Sequence, residues 1–466
     1  MSSSAFDAIV IGAGQAGSSL AGRLAGAGMK VAVIERARFG GTCVNTGCTP
    51  TKTLVASARV AHLARRASDY GVVVPGAVTV DLAAAQARAQ AVVAASRDGL
   101  EDWLRHLPGC TVFQGHAAFA SPTEVRVGDQ VLSAPRVFIN VGARAAVAHL
   151  PGVGGVPHLD NSSILALTRV PEHLVVVGGS YVGLEFAQMF RRFGAAVTVV
   201  EMQPHLIARE DPEISTAIEE ILRAEGIAVR TGARCIALGP HERGAAVRLA
   251  CAEGEPEEVV GSHLLLAVGR RPNTDDLGLD RAGVATDARG FITVDDALAT
   301  GVPGIWALGD CNGRAAFTHT AYNDFEIVAA NLLDGASRRV SERIPAYALY
   351  IDPPLGRVGL TETAARATGR RLLVGRRPMT RVSRAIEKGE TRGLMKVVAD
   401  ADTRQILGAA ILGVGGDEAI HGLVDMMNVR ATIDAYRRAV PIHPTVSELI
   451  PTVLGEMEAD APPTGG

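Results

Sequence analysis

A glycine-rich pattern occurs twice in this chain, each time between two apolar segments. The first copy runs from the segment FDAIVI through Gly12, Gly14 and Gly17 into a stretch of small residues, and the next apolar segment, VAVI, ends in Glu35. A βαβ unit that binds a dinucleotide typically has this order of parts: strand, glycine turn, helix, second strand and acid. Gly12 would allow the tight turn, Gly14 the approach of a pyrophosphate and Gly17 close packing of the helix, while Glu35 would bind ribose hydroxyls. The alternative is a glycine-rich turn that binds no ligand, and such a turn would not need an acid at the end of the second strand.

The second copy follows Pro171 and has the same order of parts. Gly178 and Gly183 take the first and third glycine positions, and Glu201 ends the apolar segment AAVTVVE. Ser180 stands at the middle position, where a side chain reduces how closely a phosphate can approach but does not disturb the turn. Two such units in one chain favour two dinucleotides held together, and therefore electron transfer between them.

These units predict an α/β fold with two Rossmann-like dinucleotide-binding domains plus a C-terminal α+β domain. The length of 466 residues suits two to four domains. The apolar segment HLLLAVG ends at Gly269, another apolar segment closes on Asp310, and strands alternate with helices from about Ile344 without a further glycine loop. The stretch 81–107 has helical periodicity. The predicted segments are 1–147 and 276–340 for the first domain, 148–275 for the second and 341–466 for the third, which ends in a disordered tail, DAPPTGG.

The net charge and the lengths of the apolar segments limit which kinds of partner the protein is expected to bind. The net charge of -3 gives no electrostatic reason to expect nucleic acid or an anionic membrane. No segment has the roughly 18 apolar residues of a membrane span. We therefore predict a cytoplasmic protein that binds neither. Four cysteines stand alone and are predicted to be small buried residues: Cys110, Cys235, Cys251 and Cys311.

The other two cysteines, Cys43 and Cys48, follow the first βαβ unit in the segment GGTCVNTGCTPTK. Their spacing is not that of a zinc knuckle, and no second Cys/His pair lies nearby, so we predict no metal site. A structural disulfide is the alternative, and it is disfavoured in the cytosol. Pro50 suits the first turn of a helix, with Thr49 as its cap, which would place Cys48 at a positive helix end that lowers the pKa of its thiol. The pair is therefore predicted to be redox-active.

Near the C-terminus the segment VPIHPTVSEL contains a candidate acid–base pair. His443 precedes a proline, and Glu448 follows five residues later, where it can orient one ring nitrogen. A lone histidine is usually structural, but a histidine oriented by an acid suits proton transfer.

Together these motifs resemble the class I pyridine nucleotide-disulfide oxidoreductases, which include dihydrolipoamide dehydrogenase, glutathione reductase and mercuric reductase. The resemblance covers essentially the whole chain, through GGTCVNTGCTPTK, the two glycine loops, ALGD ending at Asp310, and HPTxxE. The segments GDCNGRAAFTHTAYNDFEIV and DPPLGRVGLTE are similar to the mercuric reductase-like branch, which includes the reactive-chlorine-resistance flavoprotein.

This resemblance implies a homodimer that binds FAD and NAD(P)H. It implies that Cys48 faces the flavin and Cys43 meets the substrate, that Lys52 lies near flavin N5 and pairs with Glu185, and that Tyr181 covers the nicotinamide pocket. His443 and Glu448 would act on the cysteines of the partner subunit. The implied FAD-binding residues are Gly12, Gly14, Gly17, Glu35, Gly41, Thr42, Lys52, Gly142 and Asp310, and the implied NAD(P)-binding residues are Gly178, Ser180, Gly183, Glu201 and Gly269.

The electron acceptor stays open between a disulfide and a soft metal ion. Mercuric reductases usually carry an N-terminal CxxC module and a C-terminal cysteine pair, and neither is found here: the tail MEADAPPTGG has no cysteine. His443 suits disulfide exchange. Two other functions remain possible from the sequence: a flavin reductase of quinones, oxygen or metal ions that does not use the cysteines, and a redox sensor without turnover.

The preferred nicotinamide is predicted to be NADH. Glu201 can bind the two ribose hydroxyls of NADH and would repel the 2′-phosphate of NADPH. Arg209 is the nearby cation that could offset that repulsion, unless it pairs with Glu210 or Asp211.

Overall fold

The computed structural model describes residues 3–147, 150–233, 235–250 and 257–459. The predicted disordered tail, together with Cys251, lies outside the described residues. The described residues form two compact units. Unit 1 comprises those of Met1–Thr53, Gln86–Val147 and Val268–Arg343, and unit 2 comprises those of Leu54–Ala85, Ala148–Ala267 and Ile344–Gly466.

Strands occur along the whole described chain. In chain order they are β1 (Ser3–Ala5), β2 (Ala8–Ile11), β3 (Val31–Glu35), β4 (Cys110–Gln114), β5 (Ala117–Ser121), β6 (Glu124–Val127), β7 (Gln130–Ser133), β8 (Val137–Ile139), β9 (Ala143–Ala145), β10 (His173–Val177), β11 (Ala196–Val200), β12 (Ala228–Arg230), β13 (Cys235–His241), β14 (Gly244–Ala250), β15 (Glu257–Gly261), β16 (His263–Leu266), β17 (Arg270–Pro272), β18 (Ile305–Ala307), β19 (Ala346–Leu349), β20 (Leu355–Gly359), β21 (Leu372–Pro378), β22 (Leu394–Asp400), β23 (Ile406–Leu412) and β24 (Glu458–Ala459).

The α-helices alternate with these strands. They are α1 (Gln15–Gly26), α2 (Gly41–Thr46), α3 (Cys48–Arg65), α4 (Leu82–His106), α5 (Tyr181–Phe193), α6 (Pro212–Ala224), α7 (Leu279–Ala282), α8 (Thr318–Leu333), α9 (Glu362–Arg366), α10 (Ser383–Glu387), α11 (Gly416–Ala419), α12 (His421–Asn428), α13 (Ile433–Arg437) and α14 (Ile450–Gly455).

Unit 1 is built on a parallel sheet with the strand order β18-β8-β2-β3-β4. Its central strands β2 and β3 are buried along their whole length, as expected for a parallel sheet covered on both faces. Helix α1 connects β2 to β3, so the first predicted βαβ unit is present. A second sheet, β1-β7-β6-β5, and the antiparallel pair β17-β9 complete the unit.

Unit 2 contains the second predicted βαβ unit in a parallel sheet with the order β12-β11-β10-β16. Helix α5 connects β10 to β11 here, as α1 connects β2 to β3 in unit 1. A separate antiparallel sheet, β13-β14-β15, lies between β12 and β16 in the chain. The C-terminal residues form an antiparallel sheet with the order β19-β20-β23-β22-β21-β24. The predicted fold class is therefore confirmed.

The helical prediction for 81–107 is also confirmed, because α4 occupies Leu82–His106. This is the longest helix of the described chain, and Arg97 and Asp98 form an ion pair on it. Of the helices in the described ranges, none is apolar over enough of its length to cross a bilayer.

Candidate active site

The first glycine loop is shaped by close backbone contacts. Gly12 has φ +103°, and a Cβ there would lie 2.4 Å from the carbonyl oxygen of Asn140. A Cβ on Gly17 would lie 2.1 Å from the carbonyl oxygen of Gly12, so the start of α1 packs directly on the turn. Gly41 is also constrained, because its φ is +61° and its Cβ would lie 3.0 Å from the Cα of Gly14. Side chains are therefore excluded from both sides of the loop.

Glu35 holds this loop through both carboxylate oxygens. The backbone N–H of Ala13 donates to Oε2 over 2.9 Å, and that of Ala37 donates to Oε1 over 2.8 Å. The carboxylate is almost fully buried, at the end of β3 and beside the loop that leads into α1. This is the position that the sequence predicts for an acid that contacts a ribose.

The second loop repeats this geometry. Gly178 has φ +117°, and a Cβ on Gly183 would lie 2.1 Å from the carbonyl oxygen of Gly178. Glu201 accepts hydrogen bonds from the N–H groups of Gly179 over 2.6 Å and Gln203 over 2.7 Å. Each of these contacts has its counterpart in the first loop. The two sequence motifs therefore form the same arrangement of glycine turn, helix start and glutamate.

The middle position is where the two loops differ. Ser180 directly precedes α5 with an extended backbone, as Gly14 directly precedes α1. Its side chain adds a hydroxyl at the place where the first loop has only a hydrogen atom.

Cys43 and Cys48 are both thiols in this structure, and their side chains are in hydrogen-bond contact. Cys43 lies in α2, and Cys48 is the first residue of α3. The prediction that Thr49 caps α3 is wrong, because the helix already begins at Cys48 and Thr49 lies inside its first turn. Cys48 is nevertheless at the N-terminal end of an 18-residue helix, where backbone N–H groups favour negative charge.

The neighbouring sulfur and burial together raise the pKa of Cys43 well above its usual range. The largest cause is the hydrogen bond to Cys48, followed by burial and then by the charge of Cys48. Both the neighbouring sulfur and burial therefore disfavour the thiolate form of Cys43.

Thr318 is a residue of this site that the sequence analysis missed. Its hydroxyl oxygen lies 3.3 Å from the Cys48 sulfur, and its hydrogen bond to Cys43 lowers the pKa of that thiol, against the larger effects that raise it. Thr318 is the first residue of α8, a helix of 16 residues. A second helix N-terminus therefore reaches the cysteine pair. The segment FTHTAYND was part of the family resemblance, but nothing in it marked one threonine.

Asp310 lies just after β18, in the turn that begins at Gly309. Burial raises the pKa of Asp310, while Arg270, whose Nε lies 3.3 Å from the carboxylate, opposes that rise. The predicted cofactor-binding glycines Gly142 and Gly269 both have positive φ, +65° and +128°, in the segments beside β9 and β17. Thr42 directly follows Gly41 in the first turn of α2.

Lys52 and Glu185 belong to different units. Lys52 lies one turn after Cys48 in α3, so the two side chains share a face of that helix. Glu185 is buried on α5 and accepts a hydrogen bond from the backbone N–H of Tyr350 over 3.0 Å. Their ion pair stays a prediction.

Tyr181 is the first residue of α5, directly after the second glycine loop. Its ring packs edge-to-face on Tyr347 at 5.3 Å between centroids, and the guanidinium of Arg209 lies 5.1 Å from its ring centroid. Burial raises the pKa of Tyr181 to about 12. Arg209 thus contacts an aromatic ring, whereas Glu210 and Asp211, the acids given as its alternative partners, contact other groups.

His443 and Glu448 are brought together as predicted. His443 Nδ1 lies 2.9 Å from Glu448 Oε2, and the other side of the ring faces solvent, because 73% of the histidine side chain is exposed. The glutamate is mostly buried and so fixes the ring. The peptide bond between His443 and Pro444 is cis.

The four cysteines outside the Cys43–Cys48 pair have no predicted catalytic role. Cys311 is buried and Cys110 is half-buried, and burial raises the pKa of Cys110 to about 11. The side chain of Cys235 is outside the described part of the structure, as is Cys251. Within the described ranges, no group of three or more His, Cys, Asp or Glu side chains could hold a metal ion.

Comparison with known proteins identifies the family. Residues 6–324 match the family model described as pyridine nucleotide-disulphide oxidoreductase, and residues 345–454 match the dimerisation domain of the same family. The chain belongs to this family. It is therefore a flavoprotein oxidoreductase that uses FAD and a pyridine nucleotide, as the sequence predicts.

Individual relatives cover nearly the whole chain. The chain is 35% identical over 452 residues to the probable pyridine nucleotide-disulfide oxidoreductase RclA of Escherichia coli K12, covering 95% of this chain and 97% of RclA. It is 33% identical over 450 residues to a mercuric reductase of Streptomyces lividans, covering 96% and 94%.

A solved structure is similar throughout. The Cu(II) complex of the HOCl-induced flavoprotein disulfide reductase RclA from Escherichia coli has a TM-score of 0.88 and 34% identity, covering 97% of this chain and 99% of that chain. The fold and the predicted family are thus confirmed together.

Proposed function

We propose that this enzyme passes two electrons from NADH, by way of FAD, to Cys43 and Cys48, and from the thiol pair to a disulfide. The observation that carries the proposal is the contact between the two thiols, with Cys48 at the N-terminal end of α3 and Thr318, the first residue of α8, beside the pair. Such a site favours one thiolate and keeps the second sulfur within reach of it.

The first glycine loop fits the FAD that the family implies. Gly12 and Gly17 allow the turn and the start of α1 to pack closely, Gly14 adds no side chain between them, and the N–H groups and dipole at the N-terminus of α1 suit a pyrophosphate. Glu35 is the ribose ligand, and Asp310 the ligand of the ribityl chain. When bound, the flavin supplies the two-electron step between a reduced nicotinamide and a disulfide.

The chain's own residues then complete the reaction. Cys43 first loses its proton to a base, then attacks a disulfide R–S–S–R as the thiolate, forms a mixed disulfide and releases one R–S⁻, which takes that proton. The Cys48 thiolate attacks Cys43, re-forms the Cys43–Cys48 disulfide and releases the second R–S⁻. The thiol pair gives up two electrons and the proton of Cys43, the second R–S⁻ takes a proton from solvent, and two R–SH are formed.

His443 is the group that accepts and returns protons in these steps. Its Nδ1 is held by Glu448, which leaves Nε2 facing solvent and able to exchange a proton. We place this pair at the cysteines of a partner subunit, in a homodimer. The match to the family's dimerisation domain supports the dimer. So does the exposed apolar surface beside the histidine, where Val440 is 95% and Ile442 79% exposed in the single chain.

A soft metal ion is the second candidate acceptor. Thiolates are soft ligands that favour such ions. A similar structure is a Cu(II) complex, and one relative is a mercuric reductase. The same two electrons would reduce one Hg(II) to Hg(0) or two Cu(II) to Cu(I). The residues for this chemistry are again Cys43 and Cys48.

The proposed preference for NADH rests on the second loop. Glu201 is fixed beside the loop by two N–H groups, so it stays where it would meet a 2′-phosphate. Arg209, the cation that could offset its charge, is engaged with the ring of Tyr181. The cytoplasmic location stays a prediction.

The test uses the purified holoprotein with oxidised glutathione, lipoamide, Cu(II), Hg(II) and quinones as acceptors. We expect one FAD per chain, turnover with a disulfide, and a higher kcat/KM with NADH than with NADPH. Cys43→Ser and Cys48→Ser should each lower disulfide reduction by at least about 100-fold, because the exchange needs both sulfurs. Cys110→Ser is the matched control and should match the wild type.

Three results would contradict the proposal in distinguishable ways. Turnover that survives Cys43→Ser would show a flavin reductase that does not use the cysteines. FAD binding without turnover on any acceptor would show a sensor. Turnover on Cu(II) or Hg(II) but on no disulfide would select the second candidate.

A further inference from the structure

We propose that Asp324 is a positioning residue that holds two parts of the active site in one arrangement: the turn that carries Asp310 and the helix end that carries Thr318. This inference rests on the proposed function, in which Asp310 binds the ribityl chain of FAD and the cysteine pair accepts electrons from the flavin. Asp324 is 2% exposed, so it has no surface left for a ligand and acts through these two residues. All three residues belong to unit 1.

The carboxylate of Asp324 is bonded to the turn that follows β18. Its Oδ2 accepts a hydrogen bond from the backbone N–H of Gly309 over 2.8 Å and another from the side-chain amide of Asn312 over 3.0 Å. Gly309 and Asn312 are the first and last residues of the short helical turn that contains Asp310. One oxygen therefore holds both ends of the turn that presents the proposed flavin ligand.

The turn and α8 also pack closely against each other. Gly309 has φ +71°, and a Cβ there would lie 3.3 Å from the Cβ of Ala321 and 3.2 Å from Oδ1 of Asn140. Ala321 and Asp324 are three residues apart in α8, so they are neighbours on the helix surface. A shift of α8 relative to the turn would therefore break the hydrogen bonds of Asp324 and disturb this packing at the same time.

Arg343 fixes the other side of the same carboxylate. Its guanidinium donates to Oδ1 of Asp324, and its Nε donates to Oδ1 of Asn323 over 2.8 Å. The side chains of Arg343 and Asp324 are 14% and 3% exposed, so solvent screens this ion pair little. Each of these partners of Asp324 is a hydrogen-bond donor. An ionised carboxylate can accept from all of them, and a neutral amide cannot.

The helix transmits the position of Asp324 to the cysteine pair. Thr318 is the first residue of α8, and it lies about 9 Å from Asp324 along the helix axis. The hydrogen bonds within the helix keep that spacing constant. A carboxylate that is anchored at Asp324 therefore also sets where the Thr318 hydroxyl meets Cys48. The flavin side and the sulfur side of the site share one anchor.

Such an anchor has two measurable consequences. A turn that is already in place need not be ordered when FAD binds, so loss of the anchor weakens FAD binding. A Thr318 hydroxyl that is held against Cys48 favours the thiolate, so loss of the anchor raises the pH at which the thiolate forms. The sign of the second effect is distinctive. Removal of a negative charge, which leaves Arg343 uncompensated, would by itself lower that pH.

The test is Asp324→Asn, which keeps the shape of the side chain but must direct its NH₂ group at one of the donors. We expect the dissociation constant of FAD to rise about tenfold, which corresponds to the loss of one hydrogen bond to a charged group. The fluorescence of free flavin on serial dilution of the holoenzyme measures this constant. We also expect the pH midpoint of the thiolate-to-flavin absorbance band, measured at saturating FAD in the two-electron-reduced enzyme, to rise.

Two further variants show how Asp324 acts. The double variant of Asp324→Asn and Thr318→Val should titrate no higher than Thr318→Val alone, because the rise is transmitted through the threonine hydroxyl. Asp7→Asn is the matched control and should change neither measurement. Asp7 also accepts a backbone N–H in unit 1, that of Lys30, but at the other end of β2 from the first glycine loop.

The proposal requires both changes in Asp324→Asn. Weaker FAD binding with an unchanged or lower midpoint, or a higher midpoint with unchanged FAD binding, would overturn it, because Asp324 would then not connect the two sides. Lower stability to urea with neither change would show a merely structural carboxylate and would overturn it as well. If Asp324→Asn does not fold, Asn312→Ala, which removes one of the two bonds to the turn, decides by the same two measurements. A wild type that binds no FAD or forms no thiolate-to-flavin band would instead contradict the proposed function.

Discussion

Thr318 contacts both sulfurs of the cysteine pair, although 270 residues separate it from Cys48. No local pattern could identify it, because a threonine at the start of a helix usually serves only the helix. The glycines and acids of the two loops were identifiable, since their roles follow from short spacings within one βαβ unit. The same limit applies to Arg209, whose contact with Tyr181 depends on how the segment after β11 folds back. Local chemistry was therefore predictable from the sequence, and contacts across the chain were not.

The Thr318 contact predicts a change in the ionisation of the thiol pair. A hydroxyl that donates to a thiolate stabilises it, so its removal should raise the pH at which the thiolate forms. We expect Thr318→Val to raise the midpoint by about 1 pH unit, because hydrogen bonds to charged groups exceed neutral ones. The measurement is a pH titration of the thiolate-to-flavin absorbance band in the two-electron-reduced holoenzyme.

Thr368→Val is the control for this titration. Its hydroxyl donates to the carbonyl of Ala365, in the other compact unit, and the variant should titrate as the wild type. An unshifted midpoint in Thr318→Val would mean that its hydroxyl does not stabilise the thiolate.

At the scale of elements, Asp211 connects a helix, a second helix and a strand of unit 2. It directly precedes α6 and accepts hydrogen bonds from the N–H groups of Glu362 and Thr363 in the first turn of α9. Lys396 of β22 donates to the same carboxylate over 2.8 Å, and both side chains of this ion pair are 2% exposed. Burial alone would raise the pKa of Asp211, but these donors outweigh it and lower the pKa to about 2.

A depressed pKa of this kind stabilises the fold only while the carboxylate is ionised. Its contribution is about 2 kcal/mol at pH 7, and it is lost as the pH falls from about 4 towards 2. We expect Asp211→Asn to lower the free energy of unfolding, and the difference from the wild type to shrink by about 1 kcal/mol between pH 7 and pH 3. Urea denaturation at the two pH values measures it.

Glu219→Gln provides the comparison for Asp211. It removes a surface pair with Arg223 within α6 that contributes at most about 0.5 kcal/mol, so its difference from the wild type should change by no more than that between the two pH values. A difference between Asp211→Asn and the wild type that does not depend on pH would contradict the role given to the carboxylate.

At the scale of the whole molecule, the sequence predicted the fold class because its signals repeat and keep their order along the chain. It did not indicate the connection made by Arg59, on the second half of α3, with Asp352 and Glu390 in unit 2. Those three residues lie in segments far apart in the chain, and each looks like an ordinary surface charge in the sequence. Long-range ion pairs have no local pattern, so only the folded chain shows them.

The proposed shared site makes a quantitative prediction for mixed dimers. Cys43→Ser and His443→Ala subunits are each inactive alone, but a hybrid has one site with an intact cysteine pair and an intact histidine. Random mixing makes about half of the dimers hybrid, so activity should recover to about a quarter of the wild-type value. The measurement is disulfide reduction after co-refolding, with hybrids counted by native mass spectrometry.

Mixing Cys43→Ser with Cys48→Ser is the control. Each subunit then lacks one member of its own cysteine pair, so no arrangement restores a site and activity should stay at zero. Equal activity in the two mixtures, with hybrids present, would rule out a site shared between subunits.

The assembly of unit 1 from three stretches of chain has a consequence for biosynthesis. Ribosomes add roughly 5–20 residues per second, so the 270 residues between Cys48 and Thr318 take roughly tens of seconds to make. Strand β18, at the edge of the parallel sheet, also emerges late, long after β2 and β3. For that interval Cys43 and Cys48 belong to an unfinished chain without the helix that later contacts them, and they are open to any oxidant near the ribosome.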